Sequence, residues 1–141
     1  MRRKAIAALL LALALLLTAC AGGDITSEQV HLFYAARTET ARGGDAITSI
    51  KARIPGWADM TTNERAEQVL ERLLSGAAQG VGSPIPEGTE LLGCEVVGGT
   101  ASVDFSAPYG ELSGMALTIA DYCVTLSLTQ IPGIYAVRIT V

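Results

Sequence analysis

The chain has 141 residues, half of them hydrophobic, with one histidine and a formal charge of −4. That length is one domain's worth, and the acidic balance is a poor match to nucleic acid or to an anionic lipid surface. Three cysteines without a CxxC pair or a Cys/His cluster exclude an ordinary structural zinc site. No glycine-rich phosphate loop runs into a helix, so no nucleotide cofactor is expected.

Arg2, Arg3 and Lys4 precede an uninterrupted apolar run from Ala5 to Leu17. The run is long enough for an export signal and short of the ~20 residues of a membrane-spanning helix. Leu17-Thr18-Ala19-Cys20, which closes it, resembles the bacterial lipobox, the pattern cut by the lipoprotein signal peptidase. The resemblance implies that residues 1–19 are removed, that Cys20 becomes the first residue and that its sulfur carries a diacylglycerol. An ordinary cleavable signal with an incidental cysteine and an apolar transmembrane anchor are the alternatives. Loss of the three cations in 1–19 takes the remaining 122 residues from −4 to about −7. The expectation is therefore a protein held at the extracytoplasmic face of the cell membrane by acyl chains rather than by charge. Each buried CH2 contributes roughly 0.8 kcal/mol, so two chains anchor almost permanently. With Cys20 lipidated, Cys94 and Cys123 remain. Both a disulfide between them and two buried free thiols are open.

Residues 20–29 read as a lipidated tether and 30–141 as the single domain. Val30 to Ala36 is a strand candidate, Arg37 to Asp45 a polar loop, and Ile47 to Ile54 a strand whose Ile50, Ala52 and Ile54 alternate with Ser49, Lys51 and Arg53. Pro55-Gly56-Trp57 breaks the strand. Thr61 and Glu64 form a capping box for a helix whose Ala66, Val69, Leu70, Leu73 and Leu74 recur at helical spacing, with Gly76 at its end. Ala77 to Gly88 is a Gly/Pro-rich loop. Glu90 to Val97 and Thr100 to Ser106 make a hairpin around Gly98-Gly99. Leu92, Cys94 and Val96 share one face, matched by Ala101, Val103 and Phe105, with Ser102, Asp104 and Ser106 opposite. A second helix is predicted over Glu111 to Gln130, its stripe made of Leu112, Met115, Ala116, Ile119, Tyr122, Cys123 and Leu126. Ile131-Pro132-Gly133 stops it, and Tyr135 to Val141 is the last strand.

The order β-β-α-β-β-α-β with one-sided helices predicts an α/β (α+β) fold: a two-layer sandwich of a five-stranded mixed sheet with both helices on its apolar face.

Several stretches carry a family resemblance. They are Arg65-Ala66 through Leu73-Leu74-Ser75-Gly76, then Ile85-Pro86-Glu87-Gly88-Thr89-Glu90-Leu91-Leu92, then Gly99 to Ser106. The last is Leu128-Thr129-Gln130-Ile131-Pro132-Gly133-Ile134, leading into Val137-Arg138-Ile139-Thr140-Val141. In this order, from about Leu32 to Val141, the chain resembles the GerMN domain of sporulation and spore germination lipoproteins. The resemblance implies a non-catalytic, membrane-tethered scaffold that meets an envelope protein partner or further copies of itself. The founding germination proteins hold tandem copies, whereas this chain shows one. The family has no catalytic residues to carry over.

The residues themselves offer little chemistry. His31 stands alone on a strand and reads as a surface histidine. Asp104 between Ser102 and Ser106 reads as part of a solvated sheet face. Trp57 is either a ring folded over the domain edge or a partner-contact anchor, since Trp is enriched at interface hot spots. No nucleophile, base and metal set is apparent. The alternative function is an extracytoplasmic binding lipoprotein that captures a small molecule or envelope polymer, which requires a cleft with convergent polar groups.

Overall fold

The computed structural model describes residues 29–37, 44–76 and 80–141. The leader, Cys20 and the tether up to residue 28 lie outside the described residues. The first hairpin follows from its alternation. β1 (Gln29–Ala36) and β2 (Ile47–Arg53) pair antiparallel, with Leu32 opposite Ile50 and His31 opposite Lys51. Val30, Leu32 and Tyr34 are buried and His31 is exposed, the two-residue period of a strand with one covered face.

A 3-10 turn, Trp57–Asp59, leads into α1 (Thr62–Leu74). Its capping box forms as read: the Glu64 amide donates to Thr61 Oγ1 at 3.3 Å, and the Thr61 amide donates to Glu64 Oε2 at 2.7 Å. Both amides would otherwise lack partners at the helix start. Ala66, Val69, Leu70 and Leu73 are fully buried.

From here the structure departs from the sequence expectation at several points. The Gly/Pro-rich loop contributes a short strand, β3 (Val81–Gly82), which pairs with Ala35 and Ala36 of β1. β4 (Leu91–Val97) and β5 (Thr100–Phe105) form the expected hairpin. Gly98 and Gly99 turn it with φ of 57° and 80°, values that favour glycine. A Cβ on Gly99 would also lie 2.6 Å from Cδ2 of Tyr135.

β4 carries a bulge: Leu91 faces Phe105 and Gly93 faces Asp104, so Leu92 is one residue too many. The extra residue shifts the alternation by one. Leu92, expected inward beside Cys94 and Val96, is 60% exposed, while Ala101, Val103 and Phe105 are buried as read.

The helix predicted over Glu111 to Gln130 starts later, at Gly114, and a separate short helix precedes it. α2 (Ala107–Gly110) has Pro108 in its first turn, and α3 (Gly114–Thr129) begins where Gly114 takes φ of 55°, which redirects the chain. β6 (Ala136–Thr140) then returns parallel to β5, with Val137 beside Ala101 and Ile139 beside Val103. A parallel return needs a crossover of this length, supplied by α3.

The strands form two three-stranded sheets, β2-β1-β3 and β4-β5-β6, in place of the single five-stranded sheet expected. The reason lies along β1. Phe33 N–H donates to Ser127 Oγ at 3.0 Å, His31 N–H donates to Gln130 Oε1 at 2.8 Å, and Gln130 Nε2 donates to the His31 carbonyl. The Gln130 carboxamide thus serves β1 as a neighbouring peptide would. With β3 on Ala35 and Ala36 and these side chains on the rest, that edge of β1 is closed to the second hairpin. α1 packs on β1 and β4, α3 packs on β1 and β6, and the helices touch each other, so both bridge the two sheets. Phe105 stacks on Tyr109 at the centre of the core, ring centroids 4.7 Å apart.

Candidate interaction surface

The sequence-predicted residues do not converge. Cys20 lies outside the described residues. Cys94 is half-buried on β4 beside Glu67, Cys123 is buried on α3, and both are free thiols. Burial pushes each thiol up to about 11, the Glu67 carboxylate adding to the effect at Cys94. Neither is therefore a thiolate nucleophile near neutral pH.

Trp57 is half-buried and packs against the core, with the Arg65 guanidinium 5.3 Å from its ring centroid. Arg65 also donates from Nε to the Trp57 carbonyl at 3.0 Å and from Nη2 to the Ala58 carbonyl at 3.2 Å. These bonds hold the ring along the margin of the domain. His31 contributes its peptide groups to Gln130 while its side chain is exposed. Asp104 is half-buried and accepts the Thr140 hydroxyl at 2.6 Å.

The feature that sequence reasoning misplaced is the outer face of α3. Apolar residues surround this helix and Asp121 is its only charge, so periodicity alone does not choose an inner side. The side that packs inward is Ala120, Cys123, Val124, Ser127 and Leu128. Most of the stripe expected in the core points out: Met115 is 72% and Tyr122 58% exposed, Leu126 is also exposed, and Ile119 is half-buried. The signal available in the sequence was Ser127 and Gln130, polar residues spaced to reach one strand edge. Met115, Ile119, Tyr122 and Leu126 follow a 4-3-4 spacing, one side of a helix. Their stripe adjoins an apolar hollow of about 370 Å³ between Ala116 and Ile119 of α3 and the segment Pro84-Ile85-Pro86. Together they make a continuous apolar surface, the kind that marks an interaction site when exposed.

On another face of α3, an open cleft of about 460 Å³ separates Leu117, Asp121 and Thr125 from Val137, Ile139 and Val141. Tyr109 closes its end, its hydroxyl donating to Asp121 Oδ1 at 2.8 Å. Burial, followed by this bond and the Asp121 charge, raises the Tyr109 pKa far above the usual phenol range, so the hydroxyl stays a donor. Among the described residues, no three His, Cys, Asp or Glu groups come together as a metal site, and no helix is long and apolar enough to cross a membrane.

The described residues form a two-sheet α+β domain with an exposed apolar stripe on α3. The family described as Germane, sporulation and spore germination, matches residues 32–141, and the chain belongs to that family. Among solved structures it is similar to the first GerMN domain of the sporulation protein GerM from Bacillus subtilis, at 20% identity and a TM-score of 0.59, covering 79% of this chain and 81% of that one. It is also similar to the tandem GerMN domains of the same protein, at 17% identity and a TM-score of 0.58. There the match covers 79% of this chain but only 38% of the other. At these identities the likeness is one of fold. No curated protein matches the chain.

Proposed function

We propose that the protein is a non-catalytic assembly module of the bacterial envelope. It is tethered to the extracytoplasmic face of the membrane by a lipid on Cys20, and it joins a sporulation- or germination-related complex through the outer face of α3. The observation that carries this reading is the stripe of exposed Met115, Tyr122 and Leu126 with half-buried Ile119 between them, on a helix whose opposite side is fully packed. Its 4-3-4 spacing suits an apolar helix of another envelope protein, because helices interlock along such rows. Family membership supports the sporulation or germination setting. The Leu17-Thr18-Ala19-Cys20 pattern supports the tether.

The test is a photoreactive amino acid placed at position 122 in living cells. A crosslink to a different envelope protein is the expected result. A crosslink only to a second copy would replace the partner with self-association, and no crosslink at all would remove the assembly role. Metabolic labelling with a fatty acid should mark the wild type and not Cys20→Ala; an unlabelled wild type would sink the tether.

A further inference from the structure

The strand edges of this domain are unequally treated. β1 is closed by Ser127 and Gln130. At β4, the amide of Val96 is taken by Asn63 Oδ1 at 2.9 Å. β2 carries the exposed charges of Lys51 and Arg53. Natural sheets block their edges in these ways because an open edge templates another strand. Among the described residues, β6 pairs only with β5. Ala136 turns its N–H toward the Gly99 carbonyl on the β5 side. In a parallel ladder the direction alternates, so the peptide groups of Val137 and Ile139 face outward.

The cleft runs along this edge. Val137, Ile139 and Val141 form one wall, Leu117 and Thr125 the other, and Asp121 sits among them. Asp121 receives the Tyr109 hydroxyl on Oδ1, and among the described residues no Lys or Arg lies within ion-pair distance of it. A strand laid beside β6 would extend sheet β4-β5-β6 over the cleft. Every second side chain would then point toward α3.

We infer that β6 is a strand-addition site for an extended segment of a partner protein, one that places aliphatic side chains in the cleft and a Lys or Arg against Asp121. The cation is argued from the Asp121 carboxylate and from the acidic balance of the chain, −4 overall, which favours a basic partner. A second copy fits poorly. Its β6 would bring Val137 and Ile139 to the cleft side, while Arg138, the one cation of the strand, alternates to the other side. This inference is independent of the assembly reading, because Asp121 and Thr125 lie on a different face of α3 from Met115 and Tyr122.

The experiment measures fluorescence anisotropy of short labelled peptides with the full-length protein in detergent micelles. The peptide alternates threonine with valine, lysine and valine. Its counterparts carry glutamate for lysine, or N-methyl groups on the amides along one edge. The lysine peptide should bind at least about tenfold more tightly than the glutamate peptide. Asp121→Asn, which still offers Tyr109 an acceptor, should erase that difference, and N-methylation should abolish binding. A benzophenone on the peptide should crosslink to residues 117–125 or 136–141. Tyr122→Ala, which trims the assembly face without adding charge beside Asp121, should leave the peptide affinity unchanged, so failure of one reading is separable from failure of the other. Equal binding of the lysine and glutamate peptides would overturn the inference. So would crosslinks confined to Met115 and Tyr122, dimers joined through β6, or no binding at millimolar peptide.

Discussion

Single residues account for the separation of the two sheets. Gln130 accepts the His31 amide and donates to both the His31 and Ser127 carbonyls. Gln130→Ala leaves these peptide groups to water at an exposed edge, a change expected to cost roughly 0.5–1.5 kcal/mol. Hydrogen exchange at the His31 amide should accelerate selectively, with the Leu32 amide, in the β1–β2 ladder, little changed. Equal acceleration along the whole strand would point instead to global loosening. Gly99 is fixed by its φ of 80° and by the Tyr135 ring above it. Gly99→Ala should destabilise by about 1–2 kcal/mol in chemical denaturation, and a neutral result would mean that the turn relaxes without strain.

Glu64 is held charged chiefly by the Thr61 amide and then by the Thr61 hydroxyl, and its pKa is lowered in the fold. The stabilisation is complete above the ordinary carboxylate range and is lost as pH falls through the lowered folded-state value. Glu64→Gln, which cannot titrate, should flatten part of the acid side of a melting-temperature curve. An unchanged acid side would show that the capping box carries no pH dependence.

Among elements, legibility followed the contrast between faces. α1 opposes a run of charges to its apolar stripe, and both its cap and its buried residues are as the spacing indicates. β1, β2 and β5 likewise show their alternation. α3 gives no such contrast, since Asp121 is its only charge, and its inner side is decided by Ser127 and Gln130 reaching β1. A one-residue bulge in β4 is equally silent in a hydropathy pattern, yet it turns Leu92 outward. The exposed stripe was therefore visible as a stripe but assigned to the wrong side. This account predicts a sharp inequality in denaturant unfolding. Leu128→Ala, in the core, should cost about 2–5 kcal/mol, while Met115→Ala, at 72% exposure, should stay within about 0.5 kcal/mol of wild type. Comparable losses at both positions would place the stripe back in a packed interior.

At the scale of the whole molecule, the family and the mixed α+β class were readable from ordered stretches between Leu32 and Val141, and the matched range 32–141 agrees. The division into two sheets was not, because strand pairing is set by long-range contacts such as Ser127 to Phe33 that leave no local pattern. The proposed arrangement is a lipid-held domain offering one apolar helix face to a partner. The most direct measurement is the size of the protein in gently solubilised membranes, compared between the wild type and Tyr122→Glu. The account predicts that the wild type migrates in a species larger than a monomer and that the variant, folded and still in the membrane fraction, migrates as a monomer. A wild type that migrates as a monomer, or a variant that keeps the larger species, would contradict it.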